Sequence, residues 1–437
     1  MVTDNKIRVL IFSAFFLAAG HASATPEIQQ WQTDNGARVY FVEANELPMV
    51  DINIWFDAGA ARDQNKPGLA LLTNAVMPEA AGKMNADQLA EEFEAIGAIA
   101  GNSSQRDVAE FTLRSLSEPK YLTRAVELTA TVISQPSFPE ESFNREKNRL
   151  LIALKSNKQS PEAIANEEFY QMVYGNHPYG SLPEGTEESV KNIERADLLD
   201  FYRQYYVGSN AVIAIVGNIS KRDAKKLAAT LVGRLPAGKS APPLPDINRA
   251  ASVGIQYITH PSSQSHILVG QPGLKRGDPD YFALYLGNHI LGGNGLVSRI
   301  SNEIREKRGL SYSAYSYFLP MRQIGPYILG LQTANNNRDE ALKVLQHTLR
   351  EFIDKGPTAE ELDAAKKNIT GGFPLRVSSN SKIVQYVAMI GFYNLPLDYL
   401  DKFNENIQSI TLQQVKDAYA RRVQPDKMAV VIVGTKS

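Results

Sequence analysis

Between Val50 and Asp57 apolar and polar residues alternate strictly: Val50, Ile52, Ile54 and Phe56 against Asp51, Asn53, Trp55 and Asp57. A period of two predicts a strand with one buried face, and the Asn35-Gly36 turn before Arg38 to Glu43 predicts its partner. From Pro67-Gly68 the spacing changes to Leu69, Leu72 and Val76, which is helical, and a second helical pattern runs from Ala86 to Ile96. Ser103 to Leu116 reads as extended, and Pro119 to Ser134 as helix. Charged amphipathic helix fills Pro139 to Tyr174 and Thr186 to Tyr206. The apolar run Ala211 to Val216 closes this half as a buried strand.

The second half is organised around Leu291 to Tyr317. Leu296, Ile300 and Ile304 recur every fourth residue, which predicts one helix face opening after the Gly292-Gly293-Asn294-Gly295 turn and ending at Gly309. Beyond it, Tyr312, Ala314 and Ser316 alternate with Tyr315 and Tyr317, the pattern of a half-buried strand.

The two halves repeat one another. Ala211 to Gly217 reads A-V-I-A-I-V-G, and 217 residues later Met428 to Gly434 reads M-A-V-V-I-V-G. The same offset carries Tyr202 onto Tyr419, Ile193 onto Ile410 and Val190 onto Ile407, and an offset of 219 relates Pro139 and Phe143 to Thr358 and Leu362. The expected fold class is α+β: two duplicated halves, each a mixed or antiparallel sheet flanked by helices, joined by a Pro-rich linker in a clamp-like shape. The linker centres on Leu235 to Pro245, L-P-A-G-K-S-A-P-P-L-P, which has no apolar period. Expected boundaries are 1–24 for a leader, 25–232 and 251–437 for the halves, and 233–250 for the linker.

Composition narrows the function. Lys plus Arg number 46 and Asp plus Glu 47, so no basic stripe suits nucleic acid. There is no cysteine, which removes disulfides, thiolate metal sites and a Cys nucleophile together. Lys6 and Arg8 precede the apolar run Val9 to Gly20, and Ala22-Ser23-Ala24 supplies small residues before Thr25. This is the pattern of a cleavable signal peptide, too short to anchor in a bilayer, and it predicts a periplasmic or secreted chain with no membrane span.

Candidate chemistry concentrates on Arg305 and Tyr312. A guanidinium and a phenol can both donate to negative charge growing on a carbonyl oxygen. The pattern also fits a structural pair, with Arg305 complementing the end of a helix and Tyr312 packing in a strand.

The order of motifs resembles the pitrilysin/insulinase zinc peptidases, the M16 family. The matching stretches are Ser298 to Tyr312, Asn176-His177-Pro178-Tyr179-Gly180, Gly185-Thr186, Phe201 to Tyr206 and Asn210 to Gly217, spread over the whole mature chain. In that family a helix near the start of the N-terminal half carries H-x-x-E-H, two His on one helix face around a Glu base. Here the matching positions hold Leu71, Asn74 and Ala75, and the window for a third ligand, Arg149 to Lys155, has no carboxylate, Glu146 being the nearest. Of the six His, His21 falls in the leader; His177, His260, His266, His289 and His347 are too scattered to form another site. No metal and no other cofactor is expected on this chain.

The resemblance implies that Arg305 and Tyr312, seven residues apart, correspond to an Arg and Tyr that polarise the substrate, and that Gly292, Gly293, Asn294 and Gly295 form a glycine-rich, substrate-handling turn. It implies a non-catalytic subunit that supplies Arg305 and Tyr312 in trans to a separate H-x-x-E-H-containing M16 subunit, the zinc residing in that partner of the heterodimer. Peptides are the expected substrates, added as a strand at a sheet edge. Other readings are a peptide-binding or scaffolding protein without proteolytic role, and an unrelated two-lobed ligand-binding clamp.

Overall fold

The alternation from Val50 to Phe56 becomes the strand on which the first sheet is built. The structure is a computed structural model describing residues 27–247 and 254–435; the expected leader, 1–24, lies outside the described residues. The first sheet contains β1 (Gln29–Gln32), β2 (Arg38–Glu43), β3 (Met49–Phe56), β4 (Ile99–Ser104), β5 (Ala109–Leu116) and β6 (Ala211–Gly217) in the order β1-β2-β6-β3-β5-β4. β6 is buried along its whole length, parallel to β2 and antiparallel to β3, which accounts for its unbroken apolar sequence. Inward residues such as Val39, Phe41, Ile52, Ile54 and Phe111 pack with Leu72, Val126, Leu198 and Ala228 of the helices. Those helices are α1 (Leu69–Val76), α2 (Ala86–Ala95), α3 (Pro119–Ser134) and α4 (Glu140–Asn157), then α5 (Pro161–Tyr174), α6 (Arg195–Tyr205) and α7 (Lys221–Val232).

Two boundaries differ from the sequence pattern for local reasons. The extended stretch up to Leu116 is a hairpin, β4 and β5, closed by a bond from Gln105 N to the Val108 carbonyl at 2.8 Å. The helical stretch from Pro139 to Tyr174 breaks before Pro161, whose ring disfavours helical geometry at Ser160; the Ser160 side chain instead caps α5 through Ala163 N at 3.3 Å.

The second sheet holds β7 (Ile255–Thr259), β8 (Gln264–Pro272), β9 (Ser313–Phe318), β10 (Pro326–Ala334) and β11 (Ala429–Gly434) in the order β9-β10-β8-β11-β7. Its pairing repeats the first sheet step by step: β7 is parallel to β11 as β2 is to β6, and every other neighbour is antiparallel. The register repeats too, with Ile54 opposite Ile213 and Val269 opposite Val430. Helices α8 (Tyr281–Asn288), α9 (Arg338–Lys355), α10 (Ala359–Arg376), α11 (Asn380–Tyr393) and α12 (Leu412–Arg422) belong to the C-terminal half. The fold is thus α+β, two sheets flanked by helices.

Each half lends the other a helix. α5 packs on β8 and β11, burying Phe169, Tyr170, Val173 and Tyr174 against Ile328, Ala429, Val431 and Val433. α11 packs on β6, β3 and β2, setting Val384, Val387, Ala388 and Phe392 beside Tyr40, Val212 and Ala214. Both contacts need glycine. A Cβ at Gly270 would lie 2.8 Å from the Phe169 ring, and one at Gly391 would lie 2.4 Å from the Tyr40 ring.

The segment Leu235 to Pro245 runs extended along the seam between the halves. Arg62 and Gln323 donate to the carbonyls of Pro242 and Leu244 at 2.6 and 3.0 Å, and Leu244 is buried.

Around Gly292 the structure departs from the expected single helix. The backbone forms a π-turn at His289–Gly293, a short 3-10 turn at Gly295–Val297, and one further helical stretch from Arg299 to Glu306 that itself relaxes into a π-turn. Ser298 interrupts the run with ψ 156° and caps the second stretch through Ser301 N at 3.3 Å. Ile300 and Ile304 are fully buried as their spacing predicts, whereas Leu296, before the break, is 57% exposed.

Candidate functional site

α1 is held at its start by a carboxylate rather than by a side-chain cap of its own. Asp63 accepts from Gly68 N at 2.8 Å and Ala70 N at 2.7 Å, and burial pushes its carboxyl up to about 8. Leu71 and Ala75 lie one turn apart on α1 and are half-buried, while Asn74 is buried with its carbonyl and Oδ1 both accepting from Asn102 Nδ2 of β4 at 2.8 Å. The hydroxyl of the buried Tyr206 has the Asn74 side chain as its polar neighbour, and burial raises its phenol.

This constellation does not fit zinc. A leucine, a methyl and a neutral amide present no imidazole or carboxylate, and Glu146 lies between Arg145 and Arg149 at 3.6 and 3.7 Å. Among the described residues no three His, Asp or Glu side chains gather closely enough to hold a metal ion. His177 bonds instead to the Pro245 carbonyl at 3.0 Å, and burial holds its imidazole below the usual value.

Arg305 and Tyr312 are brought together. The guanidinium carbon of Arg305, on the π-turn Asn302–Glu306, lies 5.9 Å from the centroid of the Tyr312 ring. Between them Gly309 turns the chain with φ 61°, and Tyr312 precedes β9 rather than joining it. Tyr312 is 87% exposed, and the only carboxylate within 4 Å of Arg305 among the described residues is Glu306, at 3.5 Å. The pair therefore presents two donors to solvent. The alternation beyond it holds: Ser316 is buried, bonded to Asn288, while Tyr315 and Tyr317 stack on the other face with centroids 5.9 Å apart.

Gly292-Gly293-Asn294-Gly295 abuts the same strand from inside. A Cβ at Gly292 would meet Ser316 Oγ at 2.3 Å, so its glycine lets the π-turn touch β9. Gly293 lies against Asn288 in the same way, Asn294 forms the bend, and Gly295 adopts φ 49° in open space. The turn is fixed by packing at its first two residues and free at its last.

Among the described residues each sheet ends on two outer strands, β1 and β4 in the first and β7 and β9 in the second, and β4 is exposed from Ile99 to Asn102. Sequence reasoning missed the seam beside β4. There Asp107 accepts from the hydroxyls of Tyr179 at 2.5 Å and Tyr393 at 3.0 Å and from Arg322 N at 2.7 Å. Burial and the adjacent Asp107 together raise the phenol of Tyr179. The only signal was the Asn176 to Gly180 stretch, which supplies Tyr179.

Comparison with known proteins bears on the family and the fold. Residues 38–187 match the family described as Insulinase (Peptidase family M16), and residues 192–369 match the Peptidase M16 inactive domain. A solved structure, the peptidase M16 inactive domain from Pseudomonas fluorescens, is 40% identical, covers 94% of this chain and 98% of its own, and superposes with a TM-score of 0.91. The non-peptidase homolog YmxG of Helicobacter pylori is 26% identical over 91% of this chain and 92% of its own. An uncharacterized zinc protease, YmxG of Bacillus subtilis, is 23% identical over 93% and 98%.

Proposed function

Because the chain belongs to the insulinase family, peptidase M16, yet carries none of its zinc ligands, we propose that it is the non-catalytic subunit of a heterodimeric zinc peptidase. Its partner is an M16 chain with an intact H-x-x-E-H helix, which holds the zinc and supplies the attacking hydroxide; the substrates are peptides. The observation that carries the reading is the contrast between two sites. The metal face of α1 is Leu71, Asn74 and Ala75, while half-buried Arg305 remains paired with exposed Tyr312. From across a shared chamber these two donors stabilise the oxyanion as it forms on the scissile carbonyl. The Gly292 to Gly295 turn supports that pair and borders the peptide path. The repeated strand order favours an origin by duplication, and the N-terminal pattern favours action after export to the periplasm or medium.

The test is peptide hydrolysis by the mature chain alone, by an H-x-x-E-H-containing M16 chain from the same organism alone, and by the two mixed. Activity that rises sharply on mixing supports the reading; no gain on mixing removes it. In that case a peptide-binding or scaffolding role without proteolysis takes its place, which the outer strands β4 and β9 favour because either can accept an extended chain.

A further inference from the structure

Where the end of β4 meets the C-terminal half there is a cleft of about 540 Å³, a size that suits a small ligand. Its walls are largely apolar: Trp55, Val108, Leu319, Met321 and Met389. Four charged side chains also line it, Arg106, Asp107, Glu184 and Arg276, and two of these are already engaged. Arg106 donates to the carbonyls of Tyr179 and Ser181 at 3.4 and 3.2 Å and stacks at 3.5 Å on Tyr170. Asp107 is occupied by its three donors.

Arg276 and Glu184 are different. Arg276 is anchored by its backbone N to the Met321 carbonyl at 2.8 Å, and its guanidinium stands 5.4 Å from the Tyr393 ring. Its charge is surrounded by phenols, those of Tyr281, Tyr393 and Tyr399, and among the described residues no carboxylate forms an ion pair with it. Among the described residues its buried Nε has no hydrogen-bond partner. An unsatisfied buried donor of this kind is costly and leaves the guanidinium short of an acceptor. Glu184 likewise has no ion pair among the described residues. One apolar cleft thus carries one free cation and one free anion.

We propose that this cleft binds short apolar peptides with both termini free, the carboxylate taken by Arg276 and the ammonium by Glu184. A guanidinium grips a carboxylate strongly in a water-poor site, and the apolar walls receive the side chains. A fatty anion is disfavoured by Glu184. An internal stretch of a longer chain offers neither terminus. The proposal goes beyond the partner-subunit reading and is measured on this chain alone, so either can fail without the other.

The full mature chain has two tryptophans, Trp31 and Trp55. With Trp31→Phe as background, emission reports on Trp55 in the cleft. Leucyl-phenylalanine, its N-acetyl form, its C-terminal amide and decanoate are titrated, with calorimetry in parallel. The dipeptide should bind saturably, and each blocked form at least tenfold more weakly. Arg276→Gln should abolish the preference for the free carboxylate, Arg276→Lys should restore part of it, and Glu184→Gln should equalise the dipeptide and its N-acetyl form. Urea unfolding midpoints check that each variant is folded. Should Arg276→Gln not fold, Met389→Trp, which fills the cleft and is read by calorimetry because it adds a second indole, must itself abolish binding. Equal binding of all dipeptide forms, tighter binding of decanoate, or no saturable binding at millimolar dipeptide would overturn the proposal.

Discussion

Tyr393 of α11, the helix the C-terminal half lends to the first sheet, donates its hydroxyl to Asp107 of the N-terminal half at 3.0 Å. The same carboxylate accepts from Tyr179 at 2.5 Å, and the Tyr179 oxygen in turn accepts from Gln323 N at 3.0 Å. Asp107 is 5% exposed, so one charge is shared among donors from both halves with little water present. Asp107→Ala removes the acceptor from three donors at once and should lower stability by about 3 kcal/mol or more, while Tyr393→Phe should cost about 1.5 kcal/mol. Urea unfolding of both variants and of the double variant checks this. Strict additivity would mean that Tyr393 and Asp107 do not act as one bridge.

Arg305 and Tyr312 lie outside any network that would make them structural. Arg305 has one weak carboxylate neighbour and Tyr312 is almost wholly solvated. Arg305→Ala and Tyr312→Phe should therefore shift the unfolding midpoint by less than about 0.5 kcal/mol, as exposed substitutions do. Turnover by the mixed dimer should fall about tenfold or more, with dimer assembly unchanged on a sizing column. Unchanged turnover would remove both residues from the proposed trans site.

The metal face can be rebuilt on paper. Leu71→His, Asn74→Glu and Ala75→His would restore H-x-x-E-H on α1, with both imidazoles on one face. A third protein ligand would still be missing, because the window Arg149 to Lys155 has no carboxylate and Glu146 is held between Arg145 and Arg149. Asn74→Glu would also replace the amide that meets Asn102 with a charge in a buried position. The native chain should hold less than one zinc per chain by atomic emission, and the triple variant should bind zinc weakly and lose stability. Stoichiometric, tightly held zinc in the native chain would overturn the degenerate reading of Leu71, Asn74 and Ala75.

What could be read along the chain was whatever depends on near neighbours. The period of two at Val50 to Phe56, the buried run at β6 and the turn at Asn35-Gly36 each report a local choice, and each holds. The missing zinc ligands were legible because metal binding demands residue types, and their absence needs no coordinates. The seven-residue spacing of Arg305 and Tyr312 was also visible, but the exposure of Tyr312 was not, because the Gly309 turn lifts it out of β9. The exchange of α5 and α11 was hidden, since an apolar face does not say which sheet covers it. Asp107 was hidden for the same reason: its phenol partners are 72 and 286 residues away. The helix expected from Leu296 to Gly309 failed at Ser298, where a capping side chain outweighs an apolar period.

Asp63 gives the fold a dependence on pH of unusual sign. Burial raises its carboxyl to about 8, well above the ordinary value of about 3.9 in the unfolded chain. Between those values the folded chain keeps a proton that the unfolded chain has released. With more protons bound in the native state, stability falls as pH rises across that interval, the reverse of an ion-paired carboxylate. The two backbone donors at Gly68 and Ala70 favour the ionised form and oppose burial without overcoming it. Comparing urea midpoints from pH 5 to 8 in the native chain and in Asp63→Asn isolates this residue from other titrating groups. Asp63→Asn should be less stable by about 1 to 3 kcal/mol at the acid end, because an amide cannot accept from both N–H groups. The gap should narrow as pH rises and the native chain must either keep its proton or bury a charge. A gap that widens with pH would show that Asp63 is ionised at the start of α1 and acts there as an ordinary anionic cap.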